Sequence, residues 1–422
     1  KGQLDYIVFE CLAERTIIDN HIQKMQDPKK GYTPMLKERM LAILPLLKKY
    51  NTKLITNMGA ANTIEAVNVI KDICDDLNIT GLKIAYQLGD DITHELHKYE
   101  DELLIGEDKK VKDILEDVIS ANVYLGCEGI KEALDKGADI VITGRVADAS
   151  LFVGPILHEF ENAGPDMLAQ ATLLGHLLEC GGQVTGGYYC DPGYKDVEGL
   201  ARLGFPIGEI DEKGDVIITK PEGSGGEVTV RTCKEQLLYE ITDPSAYITP
   251  NGVVDFSNVV MEQIDKDVVR VRGAKFKEDT RSYKVNIGFR DDYIGVGEIS
   301  FGGNNSLELA KCCRDIVIER WRIRGIEPEQ YKFSYIGYNS LYGDKISSEL
   351  HGHKFSEIRL RLVVKDSNKH IVDEAIREID YMYTNGPAGS SGITTSVKPN
   401  LGISSIIIPK GDIKPIIKYE VI

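Results

Sequence analysis

Polar side chains of the kinds that move protons and hold anions stand just past four short apolar runs in the first half of this chain. LDYIVFE (4–10) ends in Glu10 and Cys11, and KLITN (53–57) ends in Asn57, with Gly59 and Asn62 following. LKIAYQL (82–88) runs into Gly89, Asp90 and Asp91, and ADIVITG (138–144) runs into Thr143, Gly144, Arg145 and Asp148. In an open parallel sheet, ligands bind outside the carboxyl ends of the strands. If the four runs are parallel neighbours, all these groups share one edge. Asp90, Asp91, Arg145 and Asp148 are the candidate catalytic set. Arg145 is suited to bind a carboxylate or phosphate through both arms of its guanidinium; the competing reading is an ion pair with Asp90, Asp91 or Asp148. The Asp90-Asp91 pair could bind a divalent cation or a sugar hydroxyl, or act as a base if burial raised its pKa. Capping of a following helix accounts for Asp91 equally well.

Three glycine-rich polar segments punctuate the rest: 179-ECGGQVTGGYYCDPG-193, 219-TKPEGSGGEV-228 and 384-TNGPAGSSGITTS-396. Glycine in such density lets backbone N–H groups approach an anion that side chains would hold off. From these segments Gln183, Thr185, Gly186, Gly187, Ser224, Gly225, Asn385 and Gly386 join Glu10, Asn57, Gly59, Asn62, Thr143 and Gly144 as ligand-binding candidates. The alternative is that each segment is a set of tight turns at a junction.

Several chemistries are excluded by spacing. No GxGxxG follows the first run, GSGGEVTV lacks the GK[ST] of a phosphate-binding loop, and neither GxSxG nor HExxH occurs. His351 and His353 form HGH in a polar stretch, either a metal-ligating pair or a solvated loop. His176, three residues before Glu179 in an apolar helix, reads as a satisfied core histidine. None of the eight cysteines lies in a CxxC pair, which excludes a zinc ribbon. Cys11, Cys127 and Cys180 read first as buried thiols. The alternative is that they meet at one edge and hold a divalent metal or an iron–sulfur cluster.

The elements that must position these groups alternate. GAANTIEAVNVIKDICDDL reads as a helix with Asn62 as cap and Glu65 at the reciprocal position. Charged helical sequence extends to about residue 118, EGIKEALDKG is a helix ended by Gly137, and 167–178 is another. From about residue 205 strands dominate: GDVIITK, GEVTVRT, VVRVRGA, YKVNIGF, GVGEISF, SEIRLRLVVKD and IDYMYTNG, with helices at 305–325 and 369–378. The expected fold is therefore α/β, with a doubly wound, mostly parallel, Rossmann-like sheet over residues 1–200 and an α+β domain over 201–422.

The 422 residues suffice for two well-buried cores. A net charge of −16 excludes attraction to nucleic acid or to an anionic membrane by the global field. No apolar run approaches the roughly 18 residues needed to span a bilayer, and the N-terminus carries no signal-peptide pattern, so the expected location is cytoplasmic.

The motifs IVFECLAERT, NMGAAN, GDD, YLGCEGI, ADIVITGR, GHLLECGGQVTGG, GFPIGEI, ITKPEGSGG, EQLLYEI and YTNGPAG together resemble the acyclic terpene utilisation AtuA family over nearly the whole chain. The resemblance implies a setting in the breakdown of branched, unsaturated acids or acyl-CoA thioesters, with a small partner subunit and a homo-oligomer. It also implies a further strand before LDYIVFE and, in larger members, an extra C-terminal domain. Two functions fit. One is a hydro-lyase (hydratase or dehydratase) acting on a small branched unsaturated carboxylate or its CoA thioester. There Arg145 would anchor the acid, an Asp of the 90–91 pair would act as base, and glycine-segment N–H groups or a metal would polarise the carbonyl. The other is a non-catalytic ligand-binding or scaffold subunit of a catabolic complex.

Overall fold

The four apolar runs do lie side by side in one sheet. A computed structural model describes residues 4–160, 164–350 and 355–422; the HGH pair, His351 and His353, falls outside them. Strands Tyr6–Phe9 (β1), Lys53–Thr56 (β2), Lys83–Leu88 (β3), Val118–Val123 (β4) and Ile140–Ile142 (β5) alternate along the chain with helices. These are Glu14–Gln26 (α1), Leu36–Tyr50 (α2), Thr63–Asp76 (α3), Glu128–Asp135 (α4), Ser150–Glu159 (α5) and Pro165–Glu179 (α6). The sheet order is β1, β2, β5, β3 and then Ile416–Val421, which runs antiparallel to β3. The other pairings are parallel. Phe9 pairs with Thr56, Thr56 with Ile142, and Ile142 with Tyr86, so the strands' carboxyl ends form one row.

Periodicity explains the packing. Leu36, Met40, Leu44 and Leu47 line one stripe of α2, and Ala66, Val67, Ile70, Ile73 and Cys74 one stripe of α3. Both stripes bury against Leu54, Ile84, Tyr86, Ile140 and Ile142 of the sheet. A second core joins α5 and α6 to the antiparallel sheet ordered 260–265, 268–272, 216–219 and 207–210.

The chain groups into two units, residues 1–288 with 403–422 and residues 289–402. The composition boundary near residue 200 falls inside the first. In the second unit Ile358, Leu360, Leu362 and Val364 alternate inward along Glu357–Asp366 against helices Ser306–Arg324 and Lys369–Asn385. Arg359 and Arg361 alternate outward to Glu298.

Five local readings change. The charged stretch before residue 118 forms short 3₁₀ turns, and it leads into β4, which the sequence reading missed. β4 is fixed by pairing with the distant strand Ser282–Gly302, where Tyr124 N–H donates to Lys284 O. YKVNIGF and GVGEISF form that single strand. GEVTVRT is not a strand: the Thr229 hydroxyl accepts from Thr232 N–H and starts helix Val230–Leu238. IDYMYTNG continues helix Lys369–Asn385, because Val372, Ile376, Ile379 and Met382 fall on one buried stripe. Asn62 precedes α3 but does not cap it. Its amide donates to Pro28 O and Lys30 O, and Glu65 accepts from Asn68.

No helix among the described residues is long and apolar enough to cross a membrane.

Ile70 and Ile64 share α3 but are 0% and 50% exposed. Ile70→Ala should cost about 2–5 kcal/mol in urea unfolding, through lost burial and a residual cavity. Ile64→Ala should stay within about 0.5 kcal/mol.

Candidate functional site

The turn after β5 is built around two opposite charges, one on Asp90 and one on Arg145. Asp90 is buried, and its Oδ2 accepts from Arg145 N–H at 2.8 Å and from Asn122 Nδ2 at 3.1 Å. The other end of the Asn122 amide lies 3.0 Å from His21 Nε2. Gly144 must lack a side chain, since a Cβ there would stand 2.5 Å from Asp90 Oδ2. Burial raises the Asp90 carboxyl to about 6, the two hydrogen bonds pulling it down and the Asp91 charge pushing it up. Burial likewise lowers His21.

Arg145 is 2% exposed. Its Nη1 donates to Leu12 O, its Nη2 lies 3.1 Å from Asp148 Oδ1, and its Cζ stacks 4.0 Å above the Tyr124 ring. Tyr124 in turn donates to Glu14, which is paired with Lys284 at 2.7 Å. Arg145 Nε is buried without a hydrogen-bond partner. Asp148 is the ion-pair partner of Arg145. The guanidinium enters the site already held at both terminal nitrogens.

Asp148 keeps 36% of its side chain open to solvent. Partial burial still moves its carboxyl upward. Arg145 opposes the shift, while Glu10, Glu179 and Glu240 add to it. Glu179 is also raised by burial, with His176 opposing and the charges of Glu10 and Glu240 reinforcing. Its Oε1 lies 3.0 Å from His176 Nδ1, and its Oε2 is buried with no hydrogen-bond partner. The Cys180 thiol, next in the chain, is pushed up to about 11 by burial. Four carboxyls thus bear on one locus whose cation, Arg145, is buried behind them. Such a locus can take and release protons near neutral pH.

The remaining candidates divide. Asn57 and Glu10 belong to the locus as a brace: Asn57 Nδ2 donates to Glu10 Oε1, Asn57 Oδ1 accepts from Cys11 N–H, and Glu10 Oε1 also accepts from Leu12 N–H, each at 2.9 Å. Gly59 and Thr143 are buried where the turn after β2 meets the end of β5. Asp91 is exposed and accepts from Thr93 N–H at 3.0 Å at the start of a 3₁₀ turn. Asn62 is occupied by the two carbonyls named above.

The first two glycine segments pack on each other. Gly186 N–H donates to Gln183 O, Gly187 N–H to Gly182 O, Gly225 N–H to Arg202 O and Gly226 N–H to Glu198 O. Thr185 Oγ1 lies 2.6 Å from Gly204 O, and Ser224 Oγ donates to Pro221 O. A Cβ on Gly225 would stand 1.9 Å from Gly199 O. Here glycine serves backbone approach, and these N–H groups already have partners. Asn385 ends a helix and Gly386 follows as its C-cap, both in the second unit.

The three cysteines do not meet. Cys11 packs beside the core of α2 and α3 and accepts from Arg39, whereas Cys127 packs in the core with α5 and α6 and accepts from Asn251. Among the described residues no group of three or more His, Cys, Asp or Glu could hold a metal ion. An open groove of about 600 Å³ along Ser306–Arg324 contains none of the candidate residues.

Sequence reading missed Glu179 and Glu240, and it set His176 aside. The signal available was the i, i+3 spacing of His176 and Glu179, which puts both on one face of α6. Glu240 carries no such signal; it sits at φ 60°, a left-handed conformation uncommon outside glycine.

A family model described as "Acyclic terpene utilisation family protein AtuA" matches residues 1–419. No curated protein and no solved structure matches the chain.

Asp90 yields a test of this geometry. Its carboxyl binds its proton more tightly in the fold (about 6) than at its ordinary value of 3.8. The stability it contributes is therefore greatest below pH 3.8 and is lost as pH rises through about 6. At about 1.4 kcal/mol per pH unit, the loss is on the order of 3 kcal/mol. Asp90→Asn, whose amide oxygen can take the place of Oδ2 and accept from both Arg145 N–H and Asn122 Nδ2, should remove that component. Urea unfolding from about pH 4 to 7 should show the wild type losing more stability than the variant by roughly that amount.

Proposed function

Because this chain belongs to the acyclic terpene utilisation AtuA family, whose role is catabolic, we propose that it is a hydro-lyase adding or removing water on a small, branched, unsaturated acyl thioester. The observation that carries this reading is Asp148, a solvent-reaching carboxyl raised by burial and by three neighbouring carboxyls, and braced by the buried Arg145. A general acid–base group works best when its pKa lies near the working pH.

The same electrostatics choose between the thioester and the free acid. Arg145 is already bound to Leu12 O and Asp148, and Glu10, Glu179 and Glu240 would repel a carboxylate. A neutral acyl group meets no such repulsion. In dehydration Asp148 takes the proton from the carbon beside the thioester carbonyl, the released electron pair forms the C=C bond, and the hydroxyl leaves. Arg145 is a positioning residue here, holding Asp148 in place and limiting the rise in its pKa.

A second reading, a binding subunit that presents the thioester to a partner, is favoured by the exposed Tyr188, Phe205 and Leu238. Phe205 lies against Gly181 in the first glycine segment, and Tyr188 packs on Tyr239 beside Glu240. In that reading these apolar side chains meet a small partner subunit.

The test is turnover of branched 2,3-unsaturated acyl-CoA thioesters and of their free acids, followed by loss of the enoyl absorbance. Thioesters should turn over and free acids should not. Asp148→Asn keeps an oxygen facing Arg145, so the fold should persist while kcat/KM falls by about 10²–10⁴. The limb of the pH profile belonging to a raised carboxyl should vanish with it. An absence of turnover across the panel, with a small subunit co-purifying, would support the second reading.

A further inference from the structure

His176 and Glu179 form a buried pair that the role of Asp148 does not use. His176 is almost wholly enclosed, its ring centroid 5.3 Å from that of Tyr247 and 6.0 Å from that of Phe256. Its Nε2 lies 3.2 Å from Leu237 O and its Nδ1 3.0 Å from Glu179 Oε1. Leu237 O can only accept, so the ring donates to it from Nε2, while Nδ1 faces the Glu179 carboxyl. Gln236 Nε2 donates to His176 O at 2.9 Å and fixes the end of α6.

This clamp uses one oxygen of Glu179 and leaves the other. Oε2 is buried, in a side chain only 9% exposed, and has no hydrogen-bond partner. An unpartnered buried carboxylate oxygen costs free energy unless a ligand satisfies it. The charge of Glu179 bears on Asp148, and the charges of Glu10 and Glu240 bear on Glu179. Gly175, one turn earlier on α6, packs against Ala149, the residue after Asp148, so the unpartnered oxygen stands one helical turn from the contact between α6 and the turn that carries Asp148.

We propose that Glu179 is the second catalytic residue of this site, its Oε2 binding the substrate's hydroxyl group or the water that becomes it, with His176 positioning it. The inference rests on the hydro-lyase reading above. In the hydration direction Glu179 Oε2 takes a proton from water, and the water oxygen forms a bond to the β-carbon. The C=C electron pair takes a proton at the α-carbon from Asp148, which starts as the carboxylic acid. Asp148 ends ionised and Glu179 protonated, so proton and charge balance; exchange with solvent resets the pair. Dehydration is the reverse, Glu179 protonating the leaving hydroxyl while Asp148 takes the α-proton. No oxidant or reductant enters.

The experiment joins kinetics to a readout independent of turnover, using the full chain and a branched 2,3-unsaturated acyl-CoA thioester. Glu179→Gln should lower kcat by about 10²–10⁴ with a small change in KM. It should also remove the limb of the pH profile that remains in Asp148→Asn. Glu179→Asp, which keeps the charge but withdraws it, should fall between. By ¹⁵N NMR the His176 Nδ1 resonance should move between the wild type and Glu179→Gln, because its partner changes from a carboxyl to an amide. The titrating neighbours that face this pair are Glu10, Asp148, Glu240, Cys180 and Tyr247, so the NMR comparison is made between variants at matched pH. If Glu179→Gln turns over at the wild-type rate, or its pH profile keeps both limbs, the proposal is overturned while the role of Asp148 stands. If the wild type hydrates no thioester, both are overturned. Should Glu179→Gln fail to fold, Glu179→Asp decides by the same kinetic criteria.

Discussion

A buried guanidinium is tolerable only when its surroundings satisfy it, and the enclosure of Arg145 organises the rest of this site. Its contacts come from four places in the sequence: Leu12 past β1, Tyr124 past β4, Asp148 in its own turn and, through its backbone, Asp90 past β3. The parallel strands bring three of these ends into one row, and β4 delivers the fourth. Removing any partner would leave charge or hydrogen-bonding capacity stranded in a region that water does not reach. The enclosure also explains two residues whose side chains do no chemistry. Gly144 is small because Asp90 fills the space beside it, and Asn122 carries the Asp90 interaction on to His21.

From that anchor the electrostatics follow. Burial raises the Asp148 and Glu179 carboxyls; neighbouring acidic charges push the same way, while Arg145 and His176 oppose them. Asp90 and Asp148 illustrate how position divides roles between like residues. Asp90, sealed behind the turn, braces backbone; Asp148, on the same turn but facing solvent, is free to exchange protons. The glycine segments contribute packing: their backbones interlock at distances no side chain would permit.

Local sequence by itself determined the strands β1, β2, β3 and β5, the stripes of α2 and α3, and the set of polar residues past the strand ends. Burial periodicity and short apolar runs are written within a few residues of one another. The same local signals failed where distant partners decide. β4 has no apolar alternation and exists because residues near 284 pair with it, and 379–386 extends a helix because its stripe meets a core assembled from elsewhere. Glycine density was visible, but whether those N–H groups faced a ligand or each other depended on the loop at 198–204.

The sequence listed Asp90, Asp91, Arg145 and Asp148 together and could not rank them. Only the tertiary structure turned Asp90 inward, left Asp91 exposed at the start of a 3₁₀ turn, and brought the charges of Glu10, Glu179 and Glu240 to bear on Asp148. The reason is physical. A residue's tendency to be buried is encoded by its neighbours in the chain, whereas its pKa and its free hydrogen-bonding capacity depend on charges and acceptors that only folding brings within a few ångströms.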